Sequence, residues 1–139
     1  MTRGPIIIIE DDKDDQEVYV ECIKAIGVPN PIRFFNDARA ALDYLLITED
    51  QPFIILSDIN MPGMSGLEFK KQIQDDPYLV TKGIPFVFIS TNATNVSVRH
   101  AHALSVQGYF EKPQSIEGIK KMFRTLFEYW EMCRHINNT

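Results

Sequence analysis

Short apolar runs recur along the chain and predict the strands of a buried sheet. They cover residues 6–9, 53–56, 86–89 and the weaker 108–110, with a less regular run at 32–35. Each run is built from β-branched or aromatic residues without polar alternation, which is typical of parallel strands that are covered on both faces. The pattern therefore predicts a central parallel sheet.

Stretches with helical spacing of apolar residues separate these runs. They cover residues 14–26, 38–46, 67–73, 96–104 and 116–133. Turn and capping residues agree with these limits: Gly27 ends the first helix, Asn36-Asp37 caps the second, and Asp76-Pro77 follows the third. Because strand and helix alternate, we predict an α/β fold with right-handed crossovers and helices on both faces of the sheet.

Length and composition fit one domain that folds without disulfides. The chain has 139 residues, of which 45% are hydrophobic and 24% are charged. The first apolar run is shorter than a signal sequence requires, and no stretch approaches the about 18 apolar residues of a membrane span. We therefore expect a cytoplasmic protein with a single domain over residues 1–139, a core of about 5–134 and no appended output domain.

Charge and cysteine content narrow the function classes. The net charge of -5 opposes direct binding to nucleic acids or anionic membranes. Cys22 and Cys133 are far apart and form no C-x-x-C motif, so we expect two reduced thiols. The three histidines, His100, His102 and His135, lack a metal-binding spacing and are interpreted as surface residues.

Acidic residues follow the first and third predicted strands. Glu10 and Asp11 come directly after the first strand, and Asp58 follows the third. The carboxyl ends of parallel strands meet at one edge of a sheet, so these carboxylates are expected to lie together and to repel one another unless a cation or proton intervenes. Mg²⁺ is the hard cation that suits such oxygen ligands. Asp14 and Asp15 are interpreted instead as helix N-terminal residues, where the helix dipole favours acids.

A hydroxyl and an ammonium group are predicted at the same edge. Ser90 follows the fourth strand, and Lys112 follows the fifth. The set suits phosphoryl transfer, with a carboxylate as nucleophile, Mg²⁺ and Lys112 offsetting charge, and Ser90 donating a hydrogen bond. Taken singly, each has an ordinary alternative: Ser90 as a strand cap, Lys112 as a surface lysine and Asn60 as a turn residue.

The order of the motifs resembles a known family. The motifs are I-I-I-I-E-D-D, S-D-I-N-M-P-G-M-S-G, F-I-S-T and G-Y-F-E-K-P. They resemble those of two-component response-regulator receiver domains of the chemotaxis-regulator type. The segments F-N-D-A-R-A-A-L-D-Y-L and F-E-Y-W are similar to those of stand-alone phytochrome response regulators. The resemblance implies a flavodoxin-like (βα)5 doubly wound parallel sheet with strand order 2-1-3-4-5.

The resemblance also implies an acceptor and a metal site. Asp58 would be the phosphoacceptor, and Glu10, Asp11 and Asp58 would bind Mg²⁺ together with the backbone carbonyl of Asn60. Glu10 stands where the family often has aspartate, and its longer side chain would hold the metal through a water molecule. Asn60 would also flank the attacking water and tune dephosphorylation.

Further residues correspond to the switch of the family. Ser90 would be the switch hydroxyl, Tyr109 the switch aromatic, and Lys112 the phosphoryl-binding lysine, followed by a cis bond to Pro113. Asn92 would tune dephosphorylation with Asn60. Tyr109 has a competing interpretation as an ordinary core aromatic, since it lies on a late strand.

The implied protein is a switch with intrinsic phosphotransfer and autodephosphorylation rather than an enzyme. A sensor histidine kinase would donate the phosphoryl group, and the surface of predicted helix 4, strand 5 and helix 5 would signal to a downstream protein or a homodimer. Trp130 belongs to the apolar stripe of the last helix, and Phe127 and Tyr129 lie beside or outside it. Because this helix is longer than a strand needs for cover, we expect Phe127 and Tyr129, together with Trp130, to contribute to a dimer or partner contact.

Other functions are compatible with parts of the pattern. A Mg²⁺-dependent phosphohydrolase would need a second aspartate where Asn60 stands, and a flavin carrier would need a phosphate loop where acids follow the first strand. A receiver-like interaction module that is never phosphorylated remains an open alternative.

Overall fold

The computed structural model describes residues 4–91 and 94–133. The strands are β1 (Ile6–Ile9), β2 (Ile32–Phe35), β3 (Ile54–Ser57), β4 (Phe86–Ser90) and β5 (Gly108–Glu111). The helices are α1 (Lys13–Ala25), α2 (Ala38–Ile47), α3 (Gly66–Asp75), α4 (Pro77–Lys82), α5 (Asn95–Ala103) and α6 (Ile116–Met132).

The strands form one parallel sheet in the order β2-β1-β3-β4-β5, which confirms the predicted topology. β1 pairs with β2 and β3, and β4 pairs with β3 and β5. In this register Ile9 lies beside Ser57, and Ser90 lies beside Glu111. The carboxyl ends of β1, β3, β4 and β5 therefore open on one edge of the sheet, where ligands bind in folds of this kind.

Each face of the sheet has its own core, because successive strand residues point to opposite sides. Ile7 and Ile9 belong to a cluster with residues of α2 and α3, such as Leu42 and Phe69. The alternate isoleucines of β1 belong to a second cluster with α1 and α6, which includes Phe123. Burying each such side chain contributes roughly 1.5–3 kcal/mol. The acidic residues therefore follow strands that are packed on both faces.

A short helix, α4, was not predicted by the sequence pattern. Asp76 ends α3 and also begins α4, where its side chain accepts a hydrogen bond from the Leu79 N–H at 3.1 Å. Pro77 occupies the first helical position, and Gly83 ends the helix with a φ of 57°. The predicted fourth and fifth helices are therefore α5 and α6.

Phe127 does not lie where the sequence pattern placed it. The prediction that it contacts a partner is wrong, because the side chain is buried and its ring stacks 6.0 Å from the rings of Phe53 and Phe123. Trp130 is partly buried against the same cluster. Tyr129 is 60% exposed and is the one of these three aromatics that stands open to solvent. The core-facing stripe of α6 is thus wider than a single row of apolar residues.

Several smaller expectations can be compared with the structure. Cys22 is buried, Cys133 is partly buried, and the two form no disulfide, as expected. The Lys112–Pro113 peptide bond is trans, so the expected cis bond is wrong; trans is the preferred form even before proline. Within residues 4–91 and 94–133, no helix is both long and apolar enough to cross a bilayer.

Candidate functional site

Three carboxylates meet at the edge of the sheet. Glu10 and Asp11 follow β1, and Asp58 follows β3. The Asp58 N–H donates to the Ile9 carbonyl at 3.2 Å, which extends the ladder between the two strands and fixes the spacing of the acids. One carboxylate oxygen from each of the three acids lies within 4.8 Å of the other two. The structure thus brings together the three side chains that were predicted as metal ligands.

Backbone groups hold the Asp58 side chain. The Ile59 N–H donates to Asp58 Oδ1 at 2.7 Å, and the Asn60 N–H also donates to this carboxylate. Burial nevertheless raises the pKa of Asp58 above its usual value, against the lowering effect of both N–H groups. The carboxylate is therefore oriented by its own loop and remains partly stripped of water.

A glycine allows α3 to begin close behind this loop. The Gly66 N–H donates to the Ile59 carbonyl at 2.8 Å. A Cβ at Gly66 would lie only 2.2 Å from the backbone carbonyl oxygen of Asp58. Any larger residue would have to displace the loop that carries the acid, so the position requires glycine for close approach rather than for an unusual φ.

Glu10 is the most buried member of the acidic group, at 4% exposure. Burial raises its pKa to about 7, with a smaller contribution from Asp58, although the Asp12 N–H and Lys112 act in the opposite direction. The charges of three crowded carboxylates are thus poorly compensated by the protein itself. An all-oxygen donor set with excess negative charge fits a hard divalent cation.

Lys112 reaches the same edge from the end of β5. Its Nζ forms an ion pair with Asp15 Oδ2 and lies 3.6 Å from Glu10 Oε1. It also lies 5.4 Å from the centre of the Tyr19 ring. Burial disfavours the charged ammonium, but Asp15, Tyr19 and Glu10 together raise the pKa of Lys112, so it stays protonated.

Asp15 is the residue at this site that the sequence analysis missed. It was interpreted as an ordinary acid in the first turn of α1, yet it contacts a lysine 97 positions away. Sequence spacing within the helix carries no signal of this contact. The lysine predicted at the strand end was the available clue, because a buried ammonium needs a carboxylate partner.

The remaining predicted residues lie around this group. Ser90 is buried at the end of β4, and its carbonyl accepts a hydrogen bond from the Lys112 N–H at 2.9 Å. Tyr109 is partly buried on β5, with its ring 6.1 Å from that of Phe88. Asn60 is exposed beside Asp58. Asn92 lies outside the described residues, and so does His135.

Comparison with known families identifies this arrangement. The family described as response regulator receiver domain matches residues 6–124. The chain belongs to this family. As a receiver domain, it is a switch protein of two-component signalling rather than a conventional enzyme, and such a domain implies a histidine kinase as partner.

Individual relatives agree with the family assignment. The probable methanogenesis regulatory protein FilR2 of Methanothrix harundinacea is 30% identical over 129 residues, which cover 90% of this chain and 82% of FilR2. The crystal structure of the phosphorylated cyanobacterial phytochrome response regulator RcpA superposes with a TM-score of 0.85 at 27% identity, and the match covers 96% of this chain and 97% of RcpA.

A metal-bound relative bears on the acidic group. The Mn²⁺-bound form of response regulator Rcp1 superposes with a TM-score of 0.81 at 26% identity and covers 95% of this chain and 97% of that one. Rcp1 of Synechocystis sp. is 27% identical over 130 residues, which cover 90% of this chain and 87% of Rcp1. Together with the cluster of Glu10, Asp11 and Asp58, this similarity indicates a divalent cation site in the receiver domain.

Proposed function

We propose that this receiver domain accepts a phosphoryl group on Asp58 from a histidine kinase in a Mg²⁺-dependent reaction. One observation carries the proposal: the carboxylates of Glu10, Asp11 and Asp58 lie within 4.8 Å of one another, beside the ammonium of Lys112. Clustered acids alone would repel a phosphoryl group. Acids with a bound cation and a neighbouring lysine attract one instead.

In the proposed reaction an Asp58 carboxylate oxygen attacks the phosphorus of phosphohistidine. The new P–O bond forms as the P–N bond breaks, and the imidazole nitrogen keeps the electron pair and takes a proton. The three acids and the Asn60 carbonyl would hold Mg²⁺, whose positive charge would offset the charge of the phosphoryl oxygens. Lys112 pairs with one of these oxygens, and the Ser90 hydroxyl donates a hydrogen bond to another.

The phosphorylated state is then read at a distance from Asp58. Ser90 moves toward the phosphoryl group, and the Tyr109 ring turns into the space that Ser90 leaves. This local change shifts a two-state equilibrium of the surface formed by α5, β5 and α6. That surface binds either a downstream protein or a second copy of the chain. Asn60 and Asn92 tune the rate at which water hydrolyses the phosphoryl group.

The test is direct phosphorylation. The purified protein is incubated with Mg²⁺ and acetyl phosphate, and its intact mass is followed. We expect a gain of one phosphoryl group that is stable in acid and lost in base. Asp58→Asn abolishes the gain, while Asp43→Asn, which changes an exposed carboxylate on α2, leaves it intact.

A negative result also has a defined meaning. If neither acetyl phosphate nor a histidine kinase adds mass to the wild-type protein, the proposal is wrong. The receiver domain would then be the non-phosphorylated interaction module that was the alternative from sequence. Omission of Mg²⁺ is the second control, because a metal-independent mass gain contradicts the role given to Glu10 and Asp11.

A further inference from the structure

Lys112 is paired away from the proposed acceptor. Among the residues that the structure describes, the carboxylates within 4 Å of Lys112 Nζ are those of Asp15 and Glu10, not that of Asp58. Lys112 acts on Asp58 only through its longer-range electrostatic effect. The ammonium that the proposed reaction uses is therefore held by α1 in this state.

Two residues of α1 contact Lys112. Asp15 lies in the first turn of α1, and its side chain is 35% exposed, while that of Lys112 is 14% exposed. One turn further along α1, Tyr19 is 2% exposed, and its ring lies 5.4 Å from Lys112 Nζ. A carboxylate and an aromatic ring from one helix thus hold a single ammonium.

We propose that Asp15 is a positioning residue that holds Lys112 against α1 in the unphosphorylated protein, so that a phosphoryl group on Asp58 must compete with Asp15 for this lysine. The inference rests on the proposed function of Asp58. Lys112 carries one positive charge, and it leaves the Asp15 carboxylate when it moves to a phosphoryl oxygen. Asp15 therefore weakens the phosphorylated state, and Tyr19 supports the resting position of the lysine.

The competition is measured with beryllofluoride, a non-covalent mimic of the phosphoryl group, in the presence of Mg²⁺. Fluorine NMR of the bound mimic gives its dissociation constant for each variant. We expect Asp15→Asn to bind beryllofluoride about fivefold more tightly than the wild type, since the ion pair is partly exposed and its strength modest. Asp15→Glu keeps the carboxylate and returns the dissociation constant toward that of the wild type.

Asp14→Asn is the matched control. Asp14 lies next to Asp15 in the same first turn and is exposed, so the variant removes the same charge from the helix end without touching Lys112. We expect its affinity for beryllofluoride to equal that of the wild type. The double variant Lys112→Gln, Asp15→Asn should bind beryllofluoride as tightly as the single variant Lys112→Gln. Without the lysine, Asp15 has no ammonium to withhold from the mimic.

The outcomes separate the two proposals. The role of Asp15 is overturned if Asp15→Asn and Asp14→Asn bind beryllofluoride with equal affinity. It is also overturned if Asp15→Asn still raises the affinity in the Lys112→Gln background. In both cases Asp58 remains the acceptor. If beryllofluoride fails to bind the wild type, or binds Asp58→Asn equally well, the proposed function is wrong and this inference falls with it.

Discussion

The burial of Glu10 predicts that the acidic site destabilises the metal-free protein. We consider Glu10→Gln, which removes the negative charge. In the wild type the Asp12 N–H donates a hydrogen bond to Glu10 Oε2 at 3.2 Å, and the glutamine keeps an oxygen that can accept it. Folding raises the pKa of Glu10 from its ordinary value of 4.5 to about 7. The folded state therefore holds the Glu10 proton more tightly than the unfolded chain does, and ionisation of this group opposes folding.

The loss of stability caused by ionisation of Glu10 follows from the difference between its pKa values in the unfolded and folded states. The rise from 4.5 to about 7 corresponds to about 3 kcal/mol of unfolding free energy. Wild-type stability is expected to fall as the pH rises between these two values and to change little from this cause above them. In a metal chelator, Glu10→Gln should thus be more stable than the wild type by about 3 kcal/mol at about pH 8, and nearly equal at about pH 4.

Urea unfolding at a series of pH values, with and without Mg²⁺, measures this difference. Saturating Mg²⁺ should stabilise the wild type, because the ion binds the ionised site. The difference in unfolding free energy between Glu10→Gln and the wild type should then shrink or change sign. Glu17→Gln, an exposed change on α1, should stay within about 0.5 kcal/mol of the wild type throughout. Parallel stability curves for Glu10→Gln and the wild type across this pH range would refute the reasoning.

Two further substitutions test the packing, one behind the Asp58 loop and one in the core beneath α6. Gly66→Ala places a Cβ 2.2 Å from the Asp58 carbonyl oxygen, so urea unfolding should show a loss of about 2 kcal/mol and intact-mass kinetics a slower phosphorylation. Gly108→Ala, whose Cβ makes ordinary contacts at 3.6 Å, is the control, and an equal loss there would contradict the steric argument. Phe127→Ala should lower the unfolding free energy by about 3–5 kcal/mol without changing the association state in ultracentrifugation, whereas Tyr129→Ala should leave stability within about 0.5 kcal/mol. A near-neutral Phe127→Ala would show that its stacked position is not part of the core.

The parts of the fold that follow from local chemistry were predictable. The isoleucine run predicted β1, and Glu10 and Asp11 after it predicted part of the acidic site. A parallel strand that is buried on both faces ends at the first charged residues. The α4 helix was missed for a local reason as well. Asp76-Pro77 ends α3 and begins α4. The same dipeptide can also end a helix that is followed by a loop, so its presence does not show that a new helix begins.

The parts that depend on distant contacts were not predictable. Helical spacing predicts Phe127 beside the apolar stripe and in contact with a partner, because spacing shows which residues share a stripe but not how wide a groove the sheet offers. In the structure Phe53, from the loop before β3, stacks on its ring and encloses it. Asp15 was taken for a helix-end acid because its partner, Lys112, lies 97 positions later in the sequence. In both cases tertiary packing decided between two environments that are equally compatible with the local sequence.

The four isoleucines of β1 have a consequence for how this strand finds its alignment. Since identical side chains serve both faces, a slip by one residue would exchange isoleucine for isoleucine, and the hydrophobic pattern cannot penalise it. The alignment is instead set at the two ends of the strand. Gly4 fits because a Cβ there would lie 1.9 Å from the Gln51 carbonyl oxygen. A slip the other way would break the hydrogen bond from the Glu10 N–H to the Phe35 carbonyl and carry the Glu10 carboxylate from the edge of the sheet in between its neighbouring strands. The acid that opposes folding therefore also helps to fix the alignment of β1 with its neighbours.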